Sequence, residues 1–133
     1  MPDSTPKIGQ VVWRDLTVPT EQAETIRDFY RAVVGWDSTS VDMPGGYADY
    51  QMKTPEGEDV AGVCHAAGSN AALPPQWLVY VEVANLAASI REVTARGGTV
   101  LDGPRAMGPI QFAAIQDPAG ASIALVQSTP PIT

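Results

Sequence analysis

Hydrophobic residues recur along the chain in short period-two runs, broken twice by stretches of helical period. Val11–Val18 is rich in β-branched residues and is closed by Pro19, which predicts a strand. Thr20 is read as an N-cap, with Glu21 and Glu24 favourably placed in the first turn of a helix reaching about Val34. Its expected inward stripe is Ala23, Ile26, Phe29, Tyr30, Val33 and Val34, and Gly35 suits the C-cap. Strands are predicted near 38–43, at 47–53 and at 59–66, separated by turns at Pro44-Gly45-Gly46 and Pro55-Glu56-Gly57-Glu58. Residues 67–76, which open on Gly68-Ser69-Asn70 and end on Pro74-Pro75, read as a linker. The pattern then repeats: a strand at 77–83, a helix at 86–96 with Leu86, Ile90 and Val93 inward, and strands at 99–102, 110–116 and 121–127. Between the last two strands lies the turn Asp117-Pro118-Ala119-Gly120.

The order β-α-β-β-β occurs twice, over about 10–66 and 77–127, which predicts one α+β domain over 1–133 built from two tandem βαβββ modules. Each helix covers one face of its sheet. The other faces are expected to curl around a small-molecule cavity. A length of 133 residues suits one domain, and 44% hydrophobic against 17% charged residues suits a folded one. Eight basic and 15 acidic residues give a net charge of −7, with no Lys/Arg run, which argues against nucleic acid and anionic membrane surfaces as partners. No apolar run approaches the roughly 20 residues of a membrane-spanning helix. The first seven residues have neither a basic nor an apolar signal-peptide region. Cys64 is the single cysteine, so no intramolecular disulfide forms and a cytoplasmic location is expected.

Strand alternation sorts the candidate chemistry. Val79, Val81 and Val83 form an apolar row expected to face the helix, which turns Leu78, Tyr80 and Glu82 to the cavity. Ala48, Tyr50 and Met52 oppose Tyr47, Asp49 and Gln51, and Trp13, Asp15 and Thr17 share a face. The cavity side thus collects Trp13, Asp15, Tyr47, Asp49, Tyr80 and Glu82: aromatic walls with acids between them. Such acids in an apolar site act as general acid or base, or bind a cation with help from the rings. Each also has a plainer reading: Glu82 solvated on an open sheet face, Asp15 paired with an arginine, Tyr80 in the core. Cys64 and His65 are adjacent on a strand, so only one faces the cavity. His65 is either a ligand contact or an anchor for the linker, and Cys64 reads as a small buried hydrophobe. Gly103–Pro109 reads as a flexible loop between strands, with Arg105 solvated.

Three stretches resemble the vicinal oxygen chelate superfamily of glyoxalases, bleomycin-resistance proteins and extradiol dioxygenases. They are Arg27-Asp28-Phe29-Tyr30 with Val34-Gly35-Trp36, Val83-Ala84-Asn85-Leu86 through Gly97-Gly98, and Asp117-Pro118-Ala119-Gly120-Ala121-Ser122-Ile123. The resemblance implies a small molecule held in a cupped sheet, a homodimer and, in many members, a divalent metal held on the first and last strands of each module. Here those positions fall at Trp13, Leu78 and Ala124, none of them a ligand, and somewhere in 62–65. The expectation is therefore a small-molecule-binding protein of the glyoxalase/bleomycin-resistance type without the usual metal site. The alternative is a lyase, isomerase or dioxygenase with a divalent metal on a reorganised set of Asp15, His65 and Glu82.

Overall fold

A computed structural model describes residues 6–67, 71 and 73–128. The chain forms two compact units: Trp13–Trp77, and Leu78 onward together with the residues before Trp13. The element order is β-α-β-β-β followed by β-α-β-β-β, as the hydrophobic pattern predicts. Part of the expected linker (68–70 and 72) lies outside the described residues.

The first unit contains β1 (Val11–Val18, from Trp13 on), a 3-10 turn at Thr20–Gln22, α1 (Ala23–Val34), β2 (Asp37–Met43), β3 (Tyr47–Lys53) and β4 (Asp59–His65). Its strands lie in the order β2-β3-β4-β1, with β1 parallel to β4 and the other pairs antiparallel. Leu16, Val18, Tyr50, Met52, Ala61 and Val63 form the sheet's core face, and Ala23, Ile26, Tyr30, Trp36 and Trp77 pack on it. The Trp77 Nε1–H donates to the Tyr30 hydroxyl at 3.0 Å, so the half-buried indole keeps its donor satisfied. Gly35 ends α1 in the left-handed region at φ 85°, its N–H bonded to the Arg31 carbonyl.

Two expectations for this unit are corrected. Thr20 does not cap α1: it opens the 3-10 turn, and the N-cap position falls at Gln22, with no side-chain cap bond. The inward stripe is narrower than expected. Phe29, Val33 and Val34 are exposed, because the turn of helix over the sheet presents Ala23, Ile26 and Tyr30, with the Arg27 guanidinium lying 4.6 Å from the Tyr50 ring centroid.

The second unit contains β5 (Trp77–Glu82, from Leu78 on), α2 (Leu86–Ala95), β6 (Thr99–Met107), β7 (Ile110–Gln116) and β8 (Ser122–Gln127), in the order β5-β8-β7-β6. Asn85 caps α2 by accepting the Ala88 N–H at 3.0 Å, and buried Gln127 accepts the Leu86 N–H at 2.7 Å. Leu86, Ala113, Ile115 and Leu125 form the core under α2, joined by Val83, Ile90, Val93, Val100 and Ile123. The Asp117 carboxylate closes the β7–β8 turn by accepting from Ala119 and Ala121.

Here too the structure differs from the pattern. β6 runs to Met107 through two register shifts, so Arg105 belongs to a strand and not to a loop. The valine row of β5 is not uniformly inward: Val79 is exposed, while Leu78, Tyr80 and Glu82 are buried. The reason is placement of the helix. α2 packs on β6, β7 and β8, and only Val83, just past the end of β5, reaches its core cluster.

Candidate functional site

In the first unit, the strand face turned away from α1 carries Trp13, Asp15, Thr17, Asp49, Gly62 and Cys64. Registers place Asp15 beside Gly62 and Thr17 beside Cys64 on the parallel β1–β4 pair. Glycine at 62 is what admits the Asp15 carboxylate, since a Cβ built there would overlap its Oδ1. The Trp13 Nε1–H donates to that same oxygen at 2.6 Å. Asp49, buried on β3, receives the His65 backbone N–H on Oδ1 at 2.8 Å and the His65 Nδ1 at 3.3 Å. The Tyr47 ring centroid lies 5.1 Å from that of His65.

Cys64 is buried between the two acids. Burial, then the charges of Asp15 and Asp49 and a hydrogen bond from the thiol to Asp49, push its pKa well above the ordinary range. At neutral pH it stays a thiol and is a poor nucleophile. The sequence reading of a small hydrophobe misses this hydrogen bond. The signal for the arrangement was present all the same: a lone glycine inside the strand run Asp59–His65 marks close approach of another group.

Five of the seven candidate residues (Trp13, Asp15, Tyr47, Asp49, His65) therefore belong to the first unit, with Trp13 bonded to Asp15 and Asp49 bonded to His65. Tyr80 and Glu82 belong to the second. Glu82 is 2% exposed, and its two carboxylate oxygens accept the backbone N–H and the hydroxyl of Ser128 at 2.8 and 2.7 Å. Its backbone pairs with Gly9 and Gln10. Tyr80 is buried against Phe112, ring centroids 5.6 Å apart. Arg105 donates through Nε and a terminal nitrogen to one oxygen of Asp102 and lies 4.7 Å from the Phe112 centroid, so its charge is engaged within the fold.

A cavity of about 560 Å³ opens elsewhere in the second unit, between one face of α2 (Ala88, Ser89, Glu92, Val93, Arg96) and the Ile115–Pro118 stretch. None of the seven candidates lines it. The small residues Ala88 and Ser89 on that helix face are the only sequence trace of it.

The donors present do not fit the metal that the family resemblance implies. Trp13, Leu78 and Ala124 offer no ligand atom, and Leu78 and Ala124 are buried. Around 62–65 the acidic, thiol and imidazole groups are turned on one another: Cys64 and His65 both donate to Asp49. Among the described residues no three His, Cys, Asp or Glu side chains are placed to hold one ion.

The paired β-α-β-β-β units and their motifs define a glyoxalase-type fold, and the chain belongs to the Glyoxalase/Bleomycin resistance protein/Dioxygenase superfamily, whose family model matches residues 7–125. Among curated relatives it is 31% identical over 122 residues to CFP32 of Mycobacterium bovis, a provisionally assigned glyoxylase; the match covers 90% of this chain and 46% of CFP32. The chain thus spans about half the length of that relative. Among solved structures it is similar to a superfamily member from Vibrio splendidus 12B01 (TM-score 0.55, 14% identity, 86% of this chain and 96% of the other). It is also similar to a methylmalonyl-CoA epimerase in complex with methylmalonyl-CoA (TM-score 0.52, 16% identity, 92% and 96%). Identities this low establish the fold and not the reaction. No helix among the described residues is long and apolar enough to cross a membrane.

Proposed function

We propose that this chain is a metal-independent small-molecule-binding member of the superfamily, and that it holds a flat organic cation on the Trp13/Asp15/Tyr47/Asp49 face; His65, beside Val18 in register and against the Tyr50 ring, belongs to the opposite strand face. The observation that carries this reading is the pair of carboxylates, Asp15 and Asp49, flanking a thiol that stays protonated and bordered by the half-buried rings of Trp13 and Tyr47. Asp49 pairs with no Lys or Arg among the described residues. Anionic oxygen beside aromatic faces suits a cation with a delocalised, planar body. The reading does not use Tyr80 and Glu82: one is packed against Phe112, and the other is tied to Ser128.

Titration calorimetry with benzamidine and 2-aminobenzimidazole, in the presence of a chelator, tests this. Saturable binding, weakened at least about fivefold by Asp15→Asn, is expected. No affinity for a broad set of aromatic cations overturns it. Binding that appears only with an added divalent ion would favour the metal-dependent lyase, isomerase or dioxygenase instead. A cytoplasmic homodimer is part of the same reading, supported by a buried free cysteine and by the exposed Phe29, Val33 and Val34 of α1. Sedimentation equilibrium showing a monomer at micromolar concentration would remove the dimer.

A further inference from the structure

Small side chains keep the groove beside α2 open. Ala88 and Ser89 line its helix side, where larger residues would fill it, and its volume of about 560 Å³ falls within the roughly 300–1,000 Å³ of small-molecule sites. Its walls are apolar: Val83 just past β5, Val93 of α2, Ile115 of β7, and Ile8. Backbone bonds fix the segment that carries Ile8. The Gly9 N–H donates to the Glu82 carbonyl at 2.8 Å, the Glu82 N–H donates to the Gln10 carbonyl at 3.0 Å, and the Gln10 N–H donates to the Lys7 carbonyl at 2.9 Å. On this anchored turn Ile8 is nevertheless 65% exposed. Such a side chain stands in water in the free chain and gains burial when a ligand seats against it.

The charged and capping groups at the rim are already engaged. Arg96 Nε lies 3.3 Å from Glu92 Oε2, Asp117 accepts the Ala119 and Ala121 N–H groups, and Asn85 Oδ1 holds the Ala88 N–H. A charged ligand would give up its hydration here without a waiting counter-charge. A protein partner is a poor fit as well. It would need roughly 800 Å² of surface from this side, and among the described groove residues Ile8 is the one large apolar side chain that is more than a third exposed. We infer that the groove is a second ligand site, sharing no residue with the Asp15/Asp49 face, and that it takes an uncharged, mainly apolar small molecule packed between α2 and Ile8. No covalent bond changes; apolar burial drives the binding.

Fluorescence titration of the intact protein with N-phenyl-1-naphthylamine, an uncharged probe that emits in apolar surroundings, tests this. Saturable binding is expected. Ile8→Asp should weaken it at least about fivefold; the side chain is exposed, so the fold is spared, and circular dichroism checks that. Ala88→Trp, which fills the groove from the helix side, should weaken it at least about tenfold. The anionic 1-anilinonaphthalene-8-sulfonate should bind at least about tenfold more weakly than the neutral probe. Absence of saturable binding, binding that Ile8→Asp and Ala88→Trp leave unaltered, or equal affinity for the sulfonate overturns the inference. A dimer that takes no probe and dissociates with Ile8→Asp gives the groove to a second copy of the chain and overturns it too.

Discussion

Replacing Gly62 by alanine places a methyl group where the Asp15 carboxylate oxygen now sits, 3.2 Å from the carboxyl carbon and 3.6 Å from Cys64 Sγ. The obstructed atom is the end of a short side chain and not backbone, so the carboxylate can turn aside. Turning breaks the 2.6 Å bond from the Trp13 indole. A hydrogen bond to a charged group contributes about 1.5–3 kcal/mol, and forcing an extra methyl into a packed site costs about 1–3 kcal/mol. The two overlap, because rotation relieves the clash, and alanine restricts the unfolded chain to the benefit of stability by about 0.4–1 kcal/mol. The net expectation is a loss of about 1–2 kcal/mol, or about 3–10 °C in melting temperature for a chain of this size. A double-mutant cycle isolates the cause. With Asp15→Ala already in place, Gly62→Ala should be neutral or slightly stabilising, so the sign of its effect reverses. Thermal unfolding followed by circular dichroism reads all four proteins. If Gly62→Ala costs the same with and without the Asp15 carboxylate, the glycine is not there to house it.

Three further outcomes follow from contacts outside that pair. Gly98→Ala brings a Cβ to 2.8 Å from the Gln116 carbonyl oxygen and 3.2 Å from that of Val93, both backbone atoms that cannot turn away; a loss of about 2–3 kcal/mol is expected by urea denaturation, and an unchanged midpoint would contradict the packing. Glu82→Ala strips the half-buried Ser128 N–H and hydroxyl of their acceptor and should cost about 1–3 kcal/mol, coupled to Ser128→Ala by at least about 1 kcal/mol; independent effects would rule out that role. The Cys64 thiol, raised in the fold by burial and by its acids, deprotonates more readily in the unfolded chain, near its ordinary 9.0. Stability is therefore fully present below that pH and falls above it by about 1.4 kcal/mol per pH unit; Cys64→Ala should flatten this slope between pH 9 and 10.5, and an identical slope in the variant would show the thiol ionises freely in the fold.

The fold was legible because its strands are short, punctuated and patterned. β1, β3 and β7 have the bounds that Pro, Gly and the period-two runs indicate, and Gly35 ends α1 as its left-handed conformation requires. What failed depended on where a helix comes to rest. Periodicity gave α1 a stripe wide enough to include Phe29 and Val33, but the sheet beneath accepts only the Ala23–Ile26–Tyr30 strip. The valines of β5 read as core, yet α2 lies over the neighbouring strands. β6 looked finished at Asp102 because Gly103 and Pro104 interrupt its pattern, and the strand absorbs them as register shifts. At the candidate site, residue type and alternation brought out Trp13, Asp15, Asp49 and His65. Pairings such as Trp13 with Asp15 and His65 with Asp49 depend on strand register, which alternation alone does not supply. The α2 cavity had almost no sequence signature, being formed from small residues and a turn.

Titration calorimetry with 2-aminobenzimidazole, run once with a chelator and once with added Mn, Zn or Ni, bears most directly on metal-independent binding at the Asp15/Asp49 face. One saturable isotherm, the same in every buffer and weakened at least about fivefold by Asp15→Asn, is the predicted result. Absence of binding in chelator, with heat appearing only when a divalent ion is supplied, would contradict it.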